Sequence, residues 1–218
     1  MVRNTSDEVD MKQSGYVDIP LAIQVVASQS DRSDVFLQEE VEKKSEAWAI
    51  LIDSSKSLET LKGESRDIAV CLAEVARDLI PDQNSWAVYS FDERMYIVKD
   101  FMEIYGTTSK ARIGGLHNGI KTYLPDAIRM ATLRLANNAQ NTKVLLVASD
   151  GLPLGYDGID SALVEAIEKA NRAGIVLIGL GIGSSQITKY FRSNCVIESP
   201  FDMMNHFVRT YYELASGN

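Results

Sequence analysis

Three stretches of this chain are apolar at every position rather than at alternate ones: residues 47–52, 144–148 and 175–182. Such runs predict central parallel strands, because only a strand covered on both faces buries all of its side chains. Between them the spacing changes. In residues 57–79, Leu58, Leu61, Ile68, Leu72, Val75 and Leu79 keep a helical period, and Pro81 closes the segment. Residues 85–91 and 95–101 are shorter apolar runs joined by Asp92-Glu93-Arg94, a link short enough to demand an antiparallel hairpin. Residues 106–122, with Gly106, Gly114, Gly115 and Gly119, predict a loop. Pro125 sits in the first turn of a helix facing inward through Ile128, Ala131 and Leu135. Residues 161–173 predict a further helix stopped by Gly174, Val196-Ile197 a short edge strand, and Met204, Phe207, Val208, Tyr211 and Leu214 one face of a closing helix.

Strands alternating with helices predict an α/β fold: a doubly wound, mostly parallel sheet with one antiparallel edge strand and helices on both faces. Ahead of it, residues 1–46 predict an N-terminal arm with a disordered tail at 1–15, a short helix from Pro20 and a short strand at 35–39; residues 47–218 form the domain proper. The 218 residues suit this single domain, and the 45% hydrophobic content suffices for its core.

A formal net charge of −8 argues against tracking nucleic-acid phosphates and is compatible with a cation-binding face. Cys71 and Cys195 provide neither a metal spacing nor a disulfide framework, and Cys71 reads as a small core hydrophobe. The polar first fifteen residues are no secretory signal, and no apolar run is long enough to span a bilayer, so a soluble cytoplasmic protein is expected.

Candidate chemistry concentrates where the apolar runs end. Asp53-Ser54-Ser55-Lys56-Ser57 follows the first predicted strand, and Ser149-Asp150-Gly151 ends the strand after the hairpin. In open α/β sheets, ligands bind beyond the carboxyl ends of the strands where strand order reverses, so Asp53 and Asp150 converge if their strands are neighbours there. Ser55 and Ser57 enter from the first turn, and Thr122 adds a hydroxyl from a third loop. Two carboxylates and three hydroxyls are hard oxygen donors. They favour Mg²⁺, with Mn²⁺ or Ca²⁺ as substitutes, over Zn²⁺ or Cu²⁺. Neutral hydroxyls leave such an ion short of negative charge and attractive to an outside carboxylate.

An Asp-x-Ser-x-Ser pattern alone is weak. Placed with Thr122 and Ser149-Asp150-Gly151, it resembles the von Willebrand factor type A domain with a metal-ion-dependent adhesion site. The resemblance covers residues 47–216. It implies that Ser55, Ser57 and Thr122 touch the ion directly or through water, while Asp53 and Asp150 bind through water or orient the hydroxyls. Val98-Lys99-Asp100-Phe101-Met102-Glu103, Ala111-Arg112-Ile113-Gly114-Gly115-Leu116 and Ala127-Ile128-Arg129 narrow the resemblance to the nitric-oxide-reductase and rubisco activation proteins. That likeness implies a non-enzymatic adaptor between a MoxR-type AAA+ ATPase and a client, binding a partner's Asp or Glu through the metal. Leu154-Gly155 departs from the family, which often carries an acid there.

Other readings stay open. Asp53 and Asp150 are also positions for helix-capping acids. Gly179, Gly181 and Gly183 form a tight strand-to-helix turn in preference to a dinucleotide loop, which belongs after the first strand. His117, His206, Asp157 and Asp160 read as solvated positions, with His117 able to approach a partner and the two acids able to shape a partner-facing rim. The alternative function is a Mg²⁺-dependent phosphohydrolase using the same crevice. Against it, Ser55 stands where such an enzyme places a second acid. A third reading is an interaction domain whose site is intact but idle.

Overall fold

The computed structural model describes residues 46–116, 118–198 and Tyr211, together with three two-residue strands nearer the N-terminus. The chain divides into two compact units, Met1–Lys44 and Ser45–Asn218. In the first, β1 (Met11–Lys12) and β2 (Tyr16–Val17) both pair antiparallel with β3 (Phe36–Leu37). The strand expected at 35–39 is therefore present as β3. Met11 and Lys12, expected in a disordered tail, instead pair with it. The helix expected from Pro20 lies outside the described residues.

The second unit is built on six strands: β4 (Glu46–Asp53), β5 (Trp86–Phe91), β6 (Met95–Lys99), β7 (Thr142–Ser149), β8 (Ile175–Ile182) and β9 (Ser193–Ile197). Their order is β6-β5-β4-β7-β8-β9, parallel throughout except for the β5–β6 hairpin at one edge. The α-helices whose full span lies among the described residues are α1 (Lys62–Leu79), α2 (Thr107–Gly114), α3 (Leu124–Ala136) and α4 (Ile159–Arg172).

Strand period explains why the apolar runs are continuous. Trp48, Ile50 and Ile52 of β4 join Ile68 and Leu72 of α1 and Ile113 of α2 in one buried layer. Ala47, Ala49 and Leu51 point the other way, into a layer with Ile128 and Leu135 of α3 and Leu163 of α4. β7 divides likewise, with Val144, Leu146 and Ala148 in the first layer and Leu145 and Val147 in the second. Truncating one of these side chains, such as Ile50, to alanine costs about 3 kcal/mol.

Several boundaries differ from the sequence reading for local physical reasons. The helix expected from Ser57 begins as a 3-10 turn over Lys56–Leu61 before α1 starts. β6 stops at Lys99 because side chains capture the next amides: Glu103 accepts from the Asp100 N–H (3.1 Å) and Asp100 from the Phe101 N–H (2.9 Å). The loop expected across 106–122 contains α2, bracketed by Gly106 and Gly115 at its caps. That helix buries only Ser109 and Ile113 and is fixed from outside, Arg112 bonding to the Val98 carbonyl (3.2 Å) and to Glu103 (2.8 Å). Of the closing helix, Tyr211 is described. It is helical, stacks edge-on against Trp48 with ring centroids 5.2 Å apart, and donates to Glu46 (2.7 Å). The other residues expected on that face lie outside the described residues.

Candidate metal centre

After β4 the chain moves outward to β5 and β6, then crosses back to lay β7 on the other side of β4. The strand order reverses between β4 and β7, and this opens a crevice at their carboxyl ends. Asp53 is the last residue of β4 and Asp150 follows the last residue of β7, so the expected convergence of their segments is present. Both are buried, at 1% and 5% exposure.

The turn after β4 is shaped by Asp53 itself. Its Oδ1 accepts from the Ser55 N–H (2.8 Å), and the Ser55 carbonyl accepts from the Leu58 N–H (3.2 Å). This tight winding sets the hydroxyls of Ser55 and Ser57 2.9 Å apart, Ser55 buried and Ser57 exposed. On the β7 side, Ser149 Oγ donates to Asp53 Oδ2 (2.5 Å) and accepts from the Gly151 N–H (3.1 Å). Asp150 Oδ1 accepts from the Leu152 N–H (3.0 Å). Gly151 adopts a φ of 77° and packs so tightly that a Cβ would strike the Ile187 backbone.

The third segment is stitched to both. Ser54 uses its N–H (2.8 Å) and its hydroxyl (2.9 Å) on the Phe91 carbonyl at the end of β5, and its own carbonyl takes the Gly119 N–H (2.9 Å). Asn118 bonds to the Ser55 carbonyl (3.2 Å). Buried Thr122 exchanges backbone bonds of 2.8 and 3.2 Å with Leu154, in the loop after Asp150. All five expected residues thus lie on segments hydrogen-bonded into one end of the sheet.

No protein-family model matches the chain. Protein NorD of Stutzerimonas stutzeri is 29% identical over 158 residues, which is 65% of this chain and 26% of that protein. The chain therefore spans about a quarter of the length of that relative. Among solved structures, a von Willebrand factor type A protein from Catenulispora acidiphila aligns with a TM-score of 0.57 and 19% identity over 77% of this chain and 42% of its own. The vWF domain of a type V pili tip protein from Porphyromonas gingivalis gives 0.55 and 11% over 79% of this chain and 95% of its own. The fold is that of a von Willebrand factor type A domain.

Within this type A fold, the electrostatics of the crevice are lopsided. Burial pushes Asp53 up to about 7, with hydrogen bonds from Ser149 and Ser55 opposing and the Asp150 charge adding to the rise. Neither Asp53 nor Asp150 has an ion-pair partner among the described residues. Also among the described residues, no three His, Cys, Asp or Glu side chains converge. The oxygen groups that these segments carry are hydroxyls and two carboxylates, and hard donors of that kind could hold Mg²⁺.

Sequence reasoning missed several residues that build this end of the sheet. Ser149 clamps Asp53, and only its place beside Asp150 hinted at that. Asp92 is buried behind the third segment, accepting from the Arg94 N–H (2.7 Å) and the Tyr96 hydroxyl (3.3 Å), while its carbonyl takes the Tyr123 N–H (2.9 Å). Gly119 lies so close to Asp92 that a Cβ would collide with the carboxylate. Of the other noted positions, Asp157 is exposed and Asp160 accepts from the Tyr190 hydroxyl (2.5 Å). His117 and His206 lie outside the described residues. Gly179 and Gly181 lie inside β8 against Ile187 and Phe191 or Ser184, and only Gly183 is in the turn beyond it. Among the described residues, no helix is long and apolar enough to cross a membrane.

Proposed function

We propose that the chain is a metal-dependent protein-interaction domain. In this reading Asp53, Ser55, Ser57, Thr122 and Asp150 hold Mg²⁺, with Mn²⁺ or Ca²⁺ as substitutes, and a partner's Asp or Glu completes the coordination. Bound there, the ion would supply a Lewis-acidic centre whose directly bound hydroxyl oxygens carry no charge, which would leave it attractive to a further carboxylate. Ser55 and Ser57 contribute neutral oxygens, Thr122 a third, and Asp53 is oriented by Ser149 and the Ser55 amide. The observation that carries the reading is a buried carboxylate at the sheet's reversal point with hydroxyl neighbours and no ion-pair partner among the described residues.

The likeness to NorD, together with the motif resemblance to activation proteins, supports a finer role. The domain would couple a MoxR-type AAA+ ATPase to a client enzyme, as an adaptor without turnover of its own.

Calorimetric titration with Mg²⁺ and Mn²⁺ tests the metal reading on wild type and Asp53→Ala. Wild type is expected to bind at millimolar or lower concentration and the variant not to bind. Equal heats from both proteins would sink the reading. Hydrolysis of a generic phosphate ester by wild type, lost in Asp53→Asn, would replace it with the phosphohydrolase alternative.

A further inference from the structure

The loops that carry the candidate ligands also carry exposed aliphatic side chains. Ile120 is 70% exposed, Leu152 50% and Leu154 61%. None of these is a loose loop tip. Gly119 before Ile120 is bonded to Ser54, and Thr122 after it to Leu154. Leu152 is held at its N–H by Asp150, and Leu154 at both its N–H and its carbonyl by Thr122. Directly opposite residues of an antiparallel pair share a face, so Leu154 stands on the side of Thr122. Charge at the same rim is mixed: exposed Lys56 lies between Ser55 and Ser57, half-buried Lys121 rests its ammonium against Tyr123, and exposed Asp157 follows Leu154 on its loop.

We propose that this end of the sheet recognises a carboxylate flanked by aliphatic side chains, with Ile120, Leu152 and Leu154 selecting the flanks. The inference rests on the metal-dependent reading above and adds the chemistry of the partner. An ion alone takes any accessible carboxylate. A fixed apolar collar discriminates, because covering it removes apolar surface from water only when the flanking residues are themselves apolar. Rigid backbone around the collar keeps the ordering cost of docking low. The occupant is therefore an apolar-acid-apolar segment of a protein partner rather than a free carboxylate or a run of acids.

Three capped pentapeptides test this by NMR titration in saturating Mg²⁺: Ala-Leu-Glu-Leu-Ala, Ala-Ser-Glu-Ser-Ala and Ala-Leu-Gln-Leu-Ala. Wild type is expected to bind the first about tenfold more tightly than the second, since each leucine offers more apolar area to cover. It is expected not to bind the third. Ile120→Ser/Leu152→Ser/Leu154→Ser should equalise the two acidic peptides while its calorimetric Mg²⁺ affinity stays at the wild-type value. Leu154→Ser alone should give a partial loss, and Leu133→Ser, an exposed position on α3, should change nothing. Wild type that binds Mg²⁺ but holds both acidic peptides equally overturns this inference and leaves the metal reading standing. Wild type that binds no Mg²⁺ overturns both.

Discussion

Lys99 in β6 and Asp53 at the end of β4 are both buried, at 0% and 1% exposure, yet the fold surrounds their charges in opposite ways. The Lys99 ammonium donates to the carbonyls of Gln83 (2.7 Å), Trp86 (2.5 Å) and Asp100 (3.2 Å), and sits 4.2 Å from the centroid of the Trp86 ring. Each of its three N–H groups has an acceptor, and the aromatic face adds attraction. Asp53 receives one amide and one hydroxyl, and a second carboxylate lies nearby in place of a cation. One charge is satisfied from within and serves the fold. The other has no cation beside it among the described residues, and in the proposed reading it is the one that meets a ligand from outside the chain.

Removing the two charges should therefore have unequal consequences. Lys99→Met removes a donor from three carbonyls, the Trp86 bond being the buried one and the Asp100 carbonyl keeping the Glu103 N–H (3.0 Å). It is expected to cost about 2 kcal/mol or more in denaturant unfolding. Asp53→Asn, measured with chelator present, removes a charge that nothing inside pairs. It is expected to lose less than about 1 kcal/mol or to gain. Comparable losses in both variants would erase the distinction.

Proton linkage shows what the two sites share: burial disfavours the charged form of Lys99 as it does that of Asp53. Burial lowers this amine to about 8 from its ordinary 10.5, against the opposing charges of Glu103, Asp100 and Asp82. Between those pH values the unfolded chain holds a proton that the folded chain has released, so the amine's contribution to stability rises with pH. Wild type should gain on Lys99→Met as pH is raised through that window. A falling difference would mean that the carbonyl cage outweighs desolvation.

Which of these features the sequence displayed depends on how local their cause is. The apolar runs of β4, β7 and β8, the hairpin link at Asp92-Glu93-Arg94, Pro125 at the head of α3 and Gly174 after α4 each announce themselves within a few residues. Asp53 and Asp150 were visible because strand ends and the reversal of strand order can be placed from those runs. The Lys99 cage, the Ser149 clamp on Asp53 and the Asp92–Gly119 contact each join segments distant in sequence. α2 was hidden for the same reason. Its three flanking and internal glycines, Gly106, Gly114 and Gly115, speak for a loop, and bonds from Arg112 to β6 and the following turn override them.

Gly119 tests whether such a distant contact shapes the candidate site. In Gly119→Ala the new methyl meets the buried Asp92 carboxylate, so the loop carrying Thr122 must shift. A stability loss of about 1–2 kcal/mol is expected, together with about tenfold weaker Mg²⁺ binding. Unchanged Mg²⁺ affinity would detach this loop from the site.

Thr122→Val is the mildest change and the most selective. Valine keeps the β-branched shape, and the backbone bonds to Leu154 do not involve the side chain. Only a hydroxyl is lost, so unfolding with chelator should stay within about 1 kcal/mol of wild type. Ligand binding to the native state raises apparent stability as the logarithm of one plus the free ligand concentration over its Kd. Added Mg²⁺ should therefore raise the melting temperature of wild type and raise that of Thr122→Val less, consistent with about tenfold weaker binding. An identical Mg²⁺ shift in both proteins would leave Thr122 with Ser54 among the residues that only hold the crevice together, and would reduce the donor set to Asp53, Ser55, Ser57 and Asp150.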